Sequence, residues 1–148
     1  MSSALDTAAI MRWLPHRPPA LWVDQLSDWE PFAFAIGTKH VGVDNPCFIG
    51  HFPADPITPG VWVVEALAQV GALLWNLSHE TPGQVIWFAG VDACRFRQPI
   101  KPGDTLSLLV KGLRTRGGYG KAQAIASVKG AMVCTAIISL AVPKKDQH

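Results

Sequence analysis

The longest apolar run in the chain is "VWVVEALAQVGALLWNL", from Val61 to Leu77, in which only Glu65, Gln69 and Asn76 carry polar side chains. Its length and freedom from proline predict one long helix, and a helix apolar nearly all round must be covered on most sides. Thr58 is placed to cap it with Pro59 at the first position, and "SHETPGQ" ends it. Upstream, residues 4–13 predict a short helix in which Asp6 or Thr7 caps an Ala-Ala-Ile-Met run. "LPHRPP" then forbids helix, because each proline also drives the residue before it to an extended conformation. Residues 20–29 and 32–41 are strand-like about a Glu30-Pro31 turn, and a loop runs from Gly42 to Ile57. After the helix, 85–97, 104–114, 119–129 and 131–142 read as strands, joined through "PIKPGD", "RTRGG" and "KG".

Two strands, one helix and four strands make an α+β pattern. The cover such a helix requires is supplied by a curved antiparallel sheet wrapped around it, the hotdog arrangement, as a single domain over residues 1–148. Composition adds an expectation about assembly. Apolar residues make up 49% of the chain and charged ones 16%, more apolar than an ordinary soluble domain, so subunit association is expected to bury part of that surface. Residues 60–77 reach the lower length limit of a membrane span, but Glu65, Gln69 and two glycines argue against one. The N-terminus lacks the pattern of a secretory signal. Cys47, Cys94 and Cys134 show neither a CxxC pair nor metal-ligand spacing, which fits reduced thiols in the cytoplasm. A net charge of +2 gives no reason to expect nucleic acid. Its distribution is uneven: Arg95, Arg97, Lys101, Lys111, Arg114, Arg116 and Lys121 face one acid, Asp104. Such a run is either a solvated sheet edge guarded by charge or a docking patch for an acidic partner.

The chemistry concentrates where the loop meets the helix. Pro53, Pro56 and Pro59 recur every third residue and stiffen the feeding loop, which carries His51 between Gly50 and Phe52. A lone loop histidine is most often an ordinary polar group; a partner changes the reading. Glu65 and Gln69, four apart, project from one helix face. They are either a polar pair at a subunit seam, a carboxylate held by an arginine, or a carboxyl group whose apolar surroundings favour its neutral, proton-donating form. Gly60 opens the helix with a bare N–H and lets a ligand approach its positive end. Base, acid and backbone donor within fifteen residues make a candidate site.

"LPHRPPALWVDQ", "GHFPADPITPGVWVVEALAQ" and "FAGVDACRFRQPIKPGD" resemble, in order, the three signature blocks of FabZ-type (3R)-hydroxyacyl-acyl-carrier-protein dehydratases, over roughly residues 13–142. Glu65 stands where the related FabA-type dehydratase-isomerases usually carry aspartate, which favours the FabZ branch. The resemblance implies His51 as the general base at Cα, Glu65 as the acid that protonates the departing 3-hydroxyl, and the Gly60 N–H as the donor to the thioester oxygen. It implies that Gln69 orients Glu65 or a water, and that Phe52, Val61 and Phe88 contact substrate. It implies no metal and no redox cofactor, the acyl group arriving on the phosphopantetheine of an acyl carrier protein that docks on Arg95, Arg97 and Lys101. It also implies a homodimer with His51 of one subunit facing Glu65 of the other, open to hexamer or heterodimer assembly, and no membrane partner.

The chain departs from the family in carrying Gln25 where an arginine often follows "VD", which weakens any structural ion pair there. Six tryptophans are unusual. Trp62, Trp75 and Trp87 are each expected in core or dimer packing; any that lined the acyl path would favour short, polyunsaturated or aromatic-ended chains and a polyketide-like or polyene pathway. Two other readings are a hotdog acyl thioesterase, which the intact GHFP block opposes, and a non-catalytic acyl-binding subunit, which the retention of His51 and Glu65 opposes.

Overall fold

The computed structural model describes residues 4–52 and 54–143, so Pro53 of the expected proline ladder lies outside it. The elements are α1 (Thr7–Trp13), β1 (Gln25–Glu30), β2 (Phe34–His40), a 3-10 turn (Pro46–Phe48), α2 (Gly60–His79), β3 (Trp87–Phe96), β4 (Thr105–Arg116), β5 (Tyr119–Val128) and β6 (Ala131–Ala141). Asp6 caps α1, its carboxylate accepting from the Ala9 N–H at 2.8 Å. The six strands form one antiparallel sheet in the order β1-β2-β4-β5-β6-β3, which packs against α2. This is the expected α+β hotdog arrangement.

Alternation on the strands supplies the cover for α2. Leu106, Leu108 and Val110 of β4 and Ala122, Ala124 and Ala126 of β5 are buried, while their neighbours face outward. Fourteen of the twenty residues of α2 are buried, so its span-like composition is that of a core helix. Helix and sheet meet closely at Gly71, where a Cβ would lie 2.7 Å from Cδ1 of Ile138. The β4–β5 and β5–β6 hairpins turn on Gly117-Gly118 and Lys129-Gly130, all with positive φ, as the twist of two-residue turns requires.

Three local expectations are corrected. Residues 20–24 do not form a strand, because the Ala20 carbonyl and the Trp22 N–H bond to the side chain of Gln69 instead of to a neighbouring strand. "PIKPGD" is not a hairpin: β3 pairs with β6 at the sheet edge, and residues 97–104 carry the chain across to the centre. Thr58 does not cap α2. Its N–H donates to the Ile100 carbonyl at 2.7 Å, its side chain is buried, and Pro59 takes the cap position with no side-chain bond.

Candidate active site

Glu65 is the sixth residue of α2, and Gln69, one turn on, is buried with every polar atom committed. The amide oxygen of Gln69 accepts from the Trp22 N–H at 2.7 Å. Its nitrogen donates to the Ala20 carbonyl at 2.8 Å and to Oε2 of Glu65 at 2.7 Å. The amide therefore ties the segment after "LPHRPP" to the helix and fixes one edge of the carboxyl group, leaving no donor over for a water. Together with His16, Trp87 and Phe88, this pair lines a cavity of about 360 Å³ that runs between α2 and β3 past Ala68 and Ala72. The side chain of Glu65 is 36% exposed, so within one subunit it is not sealed among apolar groups as its sequence neighbours suggest. It stands at the rim of the cavity, and only its Oε2 edge is held.

His51 sits in the loop before α2. Its Nδ1 lies 2.8 Å from the Ile57 carbonyl, which can only accept, so Nδ1 carries the proton and Nε2 presents a free lone pair. The ring packs edge-on against Phe52 at a centroid distance of 4.5 Å, and Phe52 holds a positive φ of 53° that a non-glycine residue adopts only under constraint. At the start of α2 the N–H groups of Gly60 and Val61 have no bonded acceptor among the described residues. They open on a second cavity, about 390 Å³, bordered by Val61, Phe96, Arg97 and Ile100. A side chain at position 60 would press on the Phe96 ring at its edge, since a Cβ there would stand 2.6 Å from that ring.

The candidate residues thus fall into two groups within a subunit. Glu65, Gln69 and Phe88 share one cavity, and Gly60 and Val61 share the other. His51 and Phe52 border neither. Trp62 stacks on Trp22 at 5.2 Å and Trp75 is buried beside His79, so both pack the core, whereas Trp87 borders the Glu65 cavity and is half exposed. Arg95 and Arg97 flank a groove on the outer face of the sheet with Met132 and Ile137; Lys101 lies in the crossing loop.

Sequence reasoning missed His16. Its signal was the "LPHRPP" run, where prolines deny helix and project the imidazole from a stiff turn. Nη1 of Arg17 donates to the Leu14 and His16 carbonyls at 2.8 and 2.7 Å and fixes that turn. Nε2 of His16 lies 3.8 Å from Oε2 of Glu65.

Hotdog folds carry many chemistries, so fold and site define a hotdog protein with an acid on its central helix and a base in the preceding loop. The FabA-like domain family matches residues 14–137. The 3-hydroxyacyl-[acyl-carrier-protein] dehydratase FabZ of Bacillus subtilis is 44% identical over 138 residues, 93% of this chain and 98% of the relative. That of Roseiflexus castenholzii is 47% identical over 130 residues, 88% of this chain and 91% of the relative. Among solved structures, the dehydratase heterocomplex ApeI:P from Xenorhabdus doucetiae superposes with a TM-score of 0.78 at 19% identity, covering 92% of this chain and 91% of that one, a likeness of fold. The chain belongs to the FabA-like family and, within it, to the FabZ-type dehydratases.

Proposed function

We infer that the protein removes water from 3-hydroxyacyl thioesters carried on an acyl carrier protein, giving the trans-2-enoyl thioester in fatty-acid synthesis. The observation that carries this reading is the Ile57 carbonyl on Nδ1 of His51, which commits Nε2 to act as base. Nε2 takes the proton from Cα. The Gly60 N–H binds the thioester oxygen as negative charge develops on it, an interaction commonly worth about 3–4 kcal/mol. Glu65, held at Oε2 by Gln69, protonates the 3-hydroxyl as the Cβ–O bond breaks. Electrons and protons balance without a metal or redox cofactor, because elimination only relocates a proton pair.

Among the described residues His51 borders neither the Glu65 cavity nor the Gly60 cavity, which supports a site completed by a second copy of the chain. Edge strand β3 supports the same assembly, since Trp87, Phe88, Val91 and Phe96 are exposed along it. Phe52, Val61 and Phe88 are then the apolar contacts to substrate, and Arg95, Arg97 and Lys101 the docking surface for an acidic carrier. Free thiols at Cys47, Cys94 and Cys134 fit work in the cytoplasm. Trp87 borders the Glu65 cavity, and an acyl path narrowed by its ring would favour short, polyunsaturated or aromatic-ended chains.

The test is mass spectrometry on 3-hydroxyacyl carrier proteins of varied chains. Loss of one water supports the reading; release of free thiol with the acyl chain intact would mark thioester hydrolysis and remove it.

A further inference from the structure

His16 lies outside the acid, base and backbone donor assigned above, yet it lines the same cavity as Glu65. Its two ring nitrogens have unequal surroundings. Nδ1 is buried with no hydrogen-bond partner among the described residues. Nε2 faces Oε2 of Glu65 at 3.8 Å, too long for a direct hydrogen bond and within reach of one that tightens when substrate closes the cavity. A proton on Nδ1 would be a buried donor with no acceptor, the costlier arrangement. The tautomer that fits the site carries its proton on Nε2 and points it at the carboxyl group.

Gln69 already donates to Oε2 of Glu65 at 2.7 Å, and the His16 N–H, 3.8 Å from the same oxygen, becomes a second donor when the two draw together in the substrate complex. An oxygen that accepts from two donors is a poor place for the acid's own proton. We propose that His16 is a positioning residue which, with Gln69, confines the transferable proton of Glu65 to Oε1, the oxygen left free to meet the substrate hydroxyl. In the step itself the Cα–H bond breaks toward Nε2 of His51. The Cβ–O pair leaves on oxygen, and that oxygen takes the proton from Oε1 of Glu65. His16 exchanges no proton.

This rests on the dehydratase reading, and its test separates the two. Purified protein and the variants His16→Ala and His16→Gln are assayed on a 3-hydroxyacyl thioester and on the matching 3-chloroacyl thioester, whose chloride departs without a proton. Gln retains an N–H at about the reach of Nε2. With the hydroxy substrate, His16→Ala should lower kcat roughly tenfold while KM stays within about twofold, as expected for loss of acid assistance. His16→Gln should recover most of that rate, and the chloro substrate should be eliminated equally fast by all three proteins. Thermal unfolding of each variant checks that the fold is kept. Equal slowing on both substrates, a change confined to KM, or failure of Gln to rescue would overturn the proposal, leaving His16 a wall residue. Wild-type protein that dehydrates no 3-hydroxyacyl thioester is a different outcome, which removes the dehydratase reading and the inference with it.

Discussion

Gln69 is buried and commits its oxygen to the Trp22 N–H and its nitrogen to the Ala20 carbonyl and to Glu65. Replacing it by leucine leaves the buried Trp22 N–H unpaired, at a cost of about 1–3 kcal/mol, whereas the carbonyl of exposed Ala20 can turn to water. Gln69→Leu should therefore lower unfolding free energy by about 1–3 kcal/mol in urea titrations, and activity should fall further than stability alone explains because Glu65 loses its anchor. Unchanged urea midpoints would mean the clamp does not carry the 20–22 segment. The thiols give a residue-scale prediction of a different kind. Burial, reinforced by the adjacent Cys94 thiol, pushes Cys134 up to about 12, and burial also raises Cys47 despite the neighbouring Thr58 hydroxyl and Lys39. For Cys134 the folded value stands above the ordinary 9.0, so between those limits the folded state holds a proton that the unfolded chain has released. Its contribution is full below pH 9 and is lost as pH rises toward 12. Denaturation midpoints should fall across that window in wild type and fall less in Cys134→Ala.

At the scale of elements, α2 and the sheet contact one another through Gly71, where a Cβ would meet Cδ1 of Ile138 at 2.7 Å and Cδ1 of Leu140 at 3.1 Å. Both side chains are buried and have little room to yield. Gly71→Val should destabilise by about 1–3 kcal/mol through overpacking, read as a lower urea midpoint with the same slope; an unchanged midpoint would show that the sheet gives way freely. The elements themselves were largely legible in the sequence. A continuous apolar run with three polar residues has one helical reading, and the alternation on β4 and β5 has one face to bury. What was not legible depended on partners distant along the chain. Residues 20–24 have strand-forming character, yet the Ala20 carbonyl and the Trp22 N–H are taken by a side chain forty-seven or more positions away. "PIKPGD" has hairpin chemistry, yet β3 pairs with β6 because the pairing partner of an edge strand is decided by the whole sheet. Thr58 has the right chemistry for a cap, and loses the role because the Ile100 carbonyl fixes its backbone first. His16 escaped notice for a related reason: its significance lies in a carboxylate forty-nine residues on, which no local pattern announces.

Across the whole molecule, the division of the candidate residues between separate parts of one subunit has a consequence that mixing can expose. His51 lies in the loop ahead of α2 and Glu65 opens on a cavity that the loop does not border. If each site takes His51 from one copy and Glu65 from another, His51→Ala and Glu65→Gln each abolish turnover alone. A dimer that combines the two variants has one site lacking both groups and one site intact. Random co-assembly places about half of the subunits in mixed dimers with one working site of two, so co-expression at equal levels should restore roughly a quarter of wild-type activity. Charge or bulk that blocks β3, as in Val91→Glu on its exposed face, should abolish the restoration and shift the protein toward monomer in analytical ultracentrifugation. A site built within one subunit predicts the opposite: no mixture of the two inactive variants regains turnover, and a monomeric variant keeps its rate. The arrangement also accounts for an apolar edge strand, because the same contact that covers Trp87, Phe88, Val91 and Phe96 would bring the base of one copy to the acid of the next. Assembly and catalysis are then one requirement on β3, and a substitution there that separates them, keeping dimer without turnover, would place the defect in the alignment of the two halves.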